Sequence, residues 1–226
     1  MQSTSVTNLS SYIDHTLLKA EATSADIKKI CSEARQFNFK AVCVNSGFVE
    51  LAVSELRGSS VVVASVVGFP LGAELSAAKA RETELVINCG AKEVDMVIRI
   101  GALKEKNFAI VESDIREVVK AALGAEVKVI LETGMLSIEE IQNACKVSEQ
   151  AGAHFVKTAT GFLGRGATLE DIALMKTSVS SKMKIKASGG IKTQEQALAM
   201  IAAGAHRLGT SSGVSLVQGL QAQGGY

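Results

Sequence analysis

A chain of 226 residues with 47% hydrophobic residues is long enough to bury one large core, either as a single barrel or as two small domains. Its 24 basic and 23 acidic residues nearly cancel, so the charge balance gives no reason to expect nucleic acid or an anionic membrane as partner, and a small molecule is the default ligand. Cys31, Cys43, Cys89 and Cys145 form no C-x-x-C pair, which argues against a zinc ribbon, a redox motif or a disulfide framework and reads most of them as buried thiols.

The polar start, Met1 to Ser11, lacks the charged lead and apolar core of a signal peptide, and no stretch is apolar enough to span a bilayer, so a soluble, cytoplasmic protein is expected. Tyr12 to Thr16 reads as a first strand, and Thr23 to Asp26 caps a helix whose apolar face includes Ile27, Ile30, Cys31 and Ala34. Ala41 to Val44 is the next strand, Asn45 or Ser46 caps a helix through Leu56, and Val61 to Val67 is a nearly continuous β-branched run. Such a run has no solvent face and belongs to a parallel sheet covered on both sides. Gly68 to Gly72 turns the chain into a helix over Ser76–Asn88, with Gly90 as its stop.

The alternation continues with a strand over Glu93–Ile98, a helix over Phe108–Leu123, a strand over Val127–Glu132 and a helix opened by a capping box at Ser137 and Glu140. Strands ending near Lys157 and Lys186 and one through Arg207 follow, with helices from Thr168, Thr193 and about Ser212. Eight strands each followed by a helix imply right-handed parallel crossovers, and a (β/α)₈ TIM barrel is their natural closure. A doubly wound sheet would use fewer units and carry a glycine fingerprint after its first strand, which is absent. With Pro70 the sole proline and no serine-rich or charge-rich linker, residues 1–226 read as one domain with a flexible C-terminal tail at 219–226.

Barrel active sites lie at the C-terminal ends of the strands, where this chain places Asp14, Asp95, Lys157 and Lys186. A strand-end lysine is ordinarily a salt-bridge partner. Yet Lys157 ends an apolar run and is followed by small and hydroxyl residues, and Lys186 repeats the device ahead of Gly189-Gly190. Burial and a neighbouring ammonium both lower an amine pKa from its free value near ~10.4, and each unit of depression raises the nucleophilic neutral fraction about tenfold. Asp95, a carboxylate within a barrel strand, is the candidate proton acceptor, with a counter-ion role as the alternative. Gly189-Gly190 and Gly209-Thr210-Ser211-Ser212 each lead into a helix start after the last two strands, where barrels often hold phosphate; Ser211, Ser212 and Lys192 add donors and charge. His15, His154 and His206 are scattered singles rather than a zinc set; His154 and His206 read as structural residues at strand starts and His15 as the one near the site.

VKTATGF (residues 156–162), KIKASGGI (184–191) and GTSSG (209–213), in this order and spacing, resemble the deoxyribose-phosphate aldolase family, and the similarity runs from Ile13 to about Val217. The resemblance implies a metal-free, cofactor-free class I aldolase of the phosphosugar 2-deoxyribose 5-phosphate, with Lys157 forming a Schiff base, Lys186 as its neighbour and homodimers common. It also implies substrate contacts at Thr160 and Gly161, an orienting role for Asp14, and a cysteine near the site at Cys43, whose plain reading is structural. Where the family usually has proline this chain has Ala20 and Ser46, where it has serine, Ala159, and where it has asparagine, Arg99. Alternation from Asp95 through Val97 puts Arg99 on the inward face, adding positive field or pairing with Asp95. The departing loop at 162–166 bears on substrate preference. Rival readings are a phosphosugar isomerase, epimerase or decarboxylase on the same barrel, and a catalytically silent phosphosugar-binding barrel; turnover of deoxyribose phosphate separates both from an aldolase. The terminal Tyr226, on a glycine-rich tail, is either a frayed end or a phenol that reaches the mouth to help protonate an enamine.

Overall fold

In the computed structural model, which describes residues 8–221, eight parallel strands close into a barrel in sequence order. The strands are β1 (Ile13–Leu17), β2 (Ala41–Val44), β3 (Val62–Val67), β4 (Glu93–Val97), β5 (Glu126–Ile130), β6 (Phe155–Lys157), β7 (Lys184–Ser188) and β8 (Arg207–Thr210). Closure is by β1 against β8, with Asp14 opposite Gly209 and His15 opposite Thr210. The helices are α1 (Ser24–Phe37), α2 (Val49–Glu55), α3 (Ser76–Asn88), α4 (Ile100–Lys104), α5 (Phe108–Ala121), α6 (Ile138–Gln150), α7 (Leu169–Ser178), α8 (Gln194–Ala203) and α9 (Gly213–Val217). Among the described residues no helix is long and apolar enough to cross a membrane.

Local chemistry accounts for most of the boundaries. Thr23, Ser137, Thr168 and Thr193 each accept a hydrogen bond from the backbone three residues on, and the side chains of Asp26, Glu140, Asp171 and Gln196 accept one from the backbone N–H of the cap. The expected cap at Asn45 or Ser46 does not form. The Asn45 amide donates instead to the Leu18 carbonyl, tying β2 to the loop after β1, and a short 3₁₀ turn at Ser46–Phe48 precedes α2. The expected strand through Glu132 stops at Ile130, because Glu132 takes a left-handed backbone with φ of 60°. The five-residue α4 was not anticipated.

Alternation along the strands sorts the interior in two. Val94 and Met96, Val127 and Val129, Val156, Ile185 and Leu208 point outward into the main core under the helices. Inside the barrel, β2 and β3 contribute Cys43, Ala64 and Val66, which pack with Leu18 and Phe69 as a second, small apolar cluster. The remaining strands place charged side chains inside.

Between α3 and α5, the fully buried Lys79 ammonium lies 2.7 Å from Asp114 and donates to the Val97 carbonyl at the end of β4. Such a pair depends on mutual compensation, so Lys79→Met should lower stability by about 3–5 kcal/mol in urea denaturation. Adding Asp114→Leu should recover most of that loss; equal instability in the double variant would show that packing, not an orphaned charge, is the cause.

Candidate active site

Seven buried ionisable side chains meet inside the barrel: Asp14, Glu93, Asp95, Lys128, Lys157, Lys186 and Arg207. Asp95 is the hub. Its Oδ1 accepts from Lys128 Nζ at 2.8 Å, and its Oδ2 from Lys157 Nζ at 2.8 Å and Lys186 Nζ at 2.7 Å. Lys186 Nζ also lies 2.5 Å from Asp14 Oδ2, out of line for a hydrogen bond. Arg207 donates through Nε to Asp14 Oδ1 at 2.7 Å and through Nη1 and Nη2 to Glu93 at 3.1 and 2.8 Å; Nη2 also reaches Asp14. Lys128 Nζ stands 2.7 Å from Glu93 Oε2.

These contacts close a ring of alternating sign: Asp95, Lys128, Glu93, Arg207, Asp14, Lys186 and back to Asp95. Lys157 is attached to that ring by Asp95 alone. With three anions and three cations inside the ring, Lys157 is the surplus cation. Burial is the largest influence on every member whose pKa departs from its ordinary value, and the partners decide the outcome. Burial lowers Lys157, Asp95 only partly restores it, and Lys186 lowers it further, so its pKa falls below the ordinary lysine value. Burial acts the same way on Lys186, but Asp14 and Asp95 outweigh it and hold the ammonium charged. Lys128, paired with Asp95 and Glu93, is likewise raised. Burial pushes the carboxyls up, yet the surrounding lysines hold Asp95 well below its usual range, and Lys186 and Arg207 bring Asp14 to about 2.

The four residues singled out for chemistry, Asp14, Asp95, Lys157 and Lys186, thus lie together. Glu93, Lys128 and Arg207 were missed, although each sits on the inward period of a strand buried on both faces, where a charge has no route to water. Cys43 lies inside the barrel beside the ring, and burial, reinforced by Asp95, raises its thiol to about 11, an unreactive state. Arg99 is the half-buried residue preceding α4, two positions past the end of β4; Ile98 before it still lies in the outer core and its amide still donates to Ile130. Asp95 pairs with the three lysines, not with Arg99.

His15 faces outward from β1, with Nε2 2.7 Å from Glu33 on α1 and its ring 5.2 Å from Phe39, and it lines a hollow together with Ser211 and Ser212. His154 and His206 are structural: their Nδ1 atoms accept from the Val127 and Ile185 amides at the starts of neighbouring strands.

Beyond the lysines, Gly161, Gly189, Gly190, Lys192, Gly209, Ser211 and Ser212 line a cavity of about 220 Å³. Gly161, Gly189 and Gly190 have φ of 84°, 85° and 76°, a backbone that a side chain would strain. Lys192 is exposed at the rim, where its amide binds the Gln196 side chain. Thr160 lies between this cavity and Lys157 in sequence; its hydroxyl donates to Glu132 at 2.5 Å and accepts from the Phe162 amide at 3.1 Å. Phe162 meets Phe69 edge-on at 5.1 Å, so the loops after β3 and β6 touch. A larger hollow of about 560 Å³ lies against α1 and shares Ser211 and Ser212, but none of the ring lysines lines it.

Gly166 fits against the glycine pair so closely that an added Cβ would lie 2.3 Å from the Gly189 carbonyl oxygen. Gly166→Ala should displace that pair, lowering stability by about 1–3 kcal/mol and weakening calorimetric binding of inorganic phosphate. Unchanged affinity would show that the cavity does not depend on this contact.

The sequence matches the profile of the DeoC/LacD family aldolases over residues 9–220. It is 56% identical over 218 residues to the deoxyribose-phosphate aldolase of Bdellovibrio bacteriovorus, covering 96% of this chain and 99% of that one. The deoxyribose-phosphate aldolase of Finegoldia magna is 55% identical over 211 residues, covering 93% and 99%. Among solved structures, the deoxyribose phosphate aldolase of Aeropyrum pernix, described as a tetramer, superposes with a TM-score of 0.87 at 31% identity, covering 93% of this chain and 89% of that one.

Proposed function

The chain belongs to the DeoC/LacD aldolase family as a lyase of the deoxyribose-phosphate aldolase type, and from that premise we propose that it reversibly cleaves 2-deoxy-D-ribose 5-phosphate through a Schiff base on Lys157. Products of two and three carbons, acetaldehyde and D-glyceraldehyde 3-phosphate, require that the C2–C3 bond breaks. Lys157 Nζ adds to the C1 aldehyde of the open sugar, and loss of water gives an iminium. The C3 hydroxyl then loses its proton, C3 becomes a carbonyl, and the C2–C3 electrons pass into the iminium to form an enamine. A proton added to C2 and water added to the renewed iminium release acetaldehyde and Lys157.

The observation that carries this reading is Lys157 as the surplus cation on a ring balanced without it. A buried group of charges is least costly when neutral, so the proton to be lost is the one on Lys157. Enamine formation neutralises the nitrogen while releasing the C3 hydroxyl proton, so Asp95 can accept that proton and keep it within the site until C2 takes it, with Lys186 held as an ammonium on the same carboxylate. Asp14 holds Lys186 from the other side. Thr160 and the glycine-walled cavity, with Gly161, Gly189, Gly190, Lys192, Gly209, Ser211 and Ser212, are assigned to the phosphorylated end of the substrate. The reading includes a cytoplasmic location and a homodimer, the latter to be settled by light scattering.

Borohydride with acetaldehyde or deoxyribose 5-phosphate should fix a secondary amine on Lys157, found by peptide mapping, and cleavage should survive EDTA because the iminium withdraws the electrons. Absence of an adduct, or an adduct on Lys186 alone, would overturn the assignment. Lys192→Ala should raise KM for the phosphorylated sugar several-fold while barely affecting unphosphorylated deoxyribose; equal effects would remove Lys192 from the phosphate site.

A further inference from the structure

The lysine chemistry takes place above two residues that no step of it uses. Glu93 opens β4 two positions before Asp95, and Arg207 opens β8 opposite Lys186 in the register. Both are at least nine-tenths buried, and each makes two contacts within the ring: Glu93 to Lys128 and Arg207, Arg207 to Glu93 and Asp14. Neither is bonded to Lys157. Without Glu93, Lys128 would share Asp95 with the other two lysines as its sole counter-ion, and without Arg207, Asp14 would turn its whole charge on Lys186.

We propose that Glu93 and Arg207 are positioning residues for the aldolase reaction, closing the ring of charges so that Lys157 alone is left without a counter-ion of its own. The inference rests on Lys157 being the reactive amine. The groups acting on Lys157 directly are Asp95 on β4, Lys186 on β7, Cys43 on β2 and Glu132 just beyond β5, while Lys128 on β5, Glu93 on β4, Asp14 on β1 and Arg207 on β8 connect to it through the ring. Glu132 turns its carboxylate to Thr160 and stays outside the ring. Cys43 is a thiol held neutral. The count that decides Lys157 is therefore that of the ring, and it changes by one unit when either Glu93 or Arg207 loses its charge.

The sign of each change follows from Coulomb's law. Glu93→Gln removes an anion and should make Lys157 release its proton at lower pH, whereas Arg207→Gln removes a cation and should make it hold the proton to higher pH. For charges on the order of 8 Å apart at an effective dielectric near ~20, each shift is about 1.5 pH units, or roughly thirtyfold in neutral amine at a fixed pH. Glu93→Gln with Arg207→Gln, and Arg207→Lys alone, keep the ring's net charge and should keep the wild-type midpoint.

The test is the pH titration of the Lys157 Cε resonance in protein labelled with ¹³C-lysine, assigned by its loss in Lys157→Arg, alongside the pH dependence of acetaldehyde trapping by cyanoborohydride. Opposite shifts in the two single variants bear the proposal out, and any other pattern overturns it. Should a single variant fail to fold, the charge-keeping variants decide: a midpoint displaced by a unit in either one refutes the proposal. The titration needs no imine, so a missing acetaldehyde adduct would count against the Schiff-base reading, while unmoved midpoints in the two single charge-removing variants would count against the ring.

Discussion

Burying seven charged side chains in one barrel is the constraint from which the rest of this structure follows. Moving a single carboxylate or ammonium from water into a medium of low dielectric costs on the order of 20 kcal/mol in the idealised limit, and several kcal/mol after relaxation. No element of the fold can meet that cost alone, because the members of the ring come from β1, β4, β5, β7 and β8, and Lys157 from β6. Each charge is tolerable only while strands distant in sequence hold its partner at 2.5–3.1 Å. Closure of β8 onto β1 is thus also an electrostatic requirement, since it brings Arg207 to Asp14.

The same constraint divides the interior. On the side of β2 and β3 the barrel is filled by Cys43, Ala64 and Val66, small side chains that leave the charged half facing an apolar wall. That wall keeps the dielectric low where the lysines meet, which sharpens both the desolvation that depresses Lys157 and the pairing that holds Lys186. The cavity proposed for phosphate is lined by none of the ring residues; it is walled by glycine backbone and rimmed by the exposed Lys192, so an anion there would meet amides without entering the ring.

The alternation of strands and helices was legible because buried parallel strands and helix caps leave plain local signals, as at Val62–Val67 and Ser137 with Glu140. Lys157 was legible for a related reason, since a lysine that ends an apolar run and is followed by hydroxyl and small residues stands out, and Lys186 repeats it ahead of a glycine pair; Asp95 was legible as a carboxylate within a barrel strand, and Asp14 through the family resemblance. Lys128 did not stand out, since a lysine between valines looks like the wet face of a half-exposed strand unless the barrel is already assumed. Arg207 and Glu93 open their strands and resemble ordinary boundary charges. Glu132 gave no sign of its left-handed backbone, which glutamate rarely adopts.

Lys157 and Lys186 illustrate what spacing leaves open, because both follow an apolar run, both precede small residues, and either could have been the nucleophile from that pattern. The difference lies in company: Lys157 and Lys186 are partners in the β6–β7 register, at the same level of the barrel, and both are buried. Lys186 is gripped by Asp14 and Asp95, while Lys157 shares a single carboxylate with two other ammonium groups. Two lysines in nearly identical local sequences are thereby driven in opposite directions, one kept as a fixed charge and the other released toward the neutral amine that carbonyl chemistry requires. What separates them is the ring's charge count, a property of the closed barrel that neither strand carries by itself.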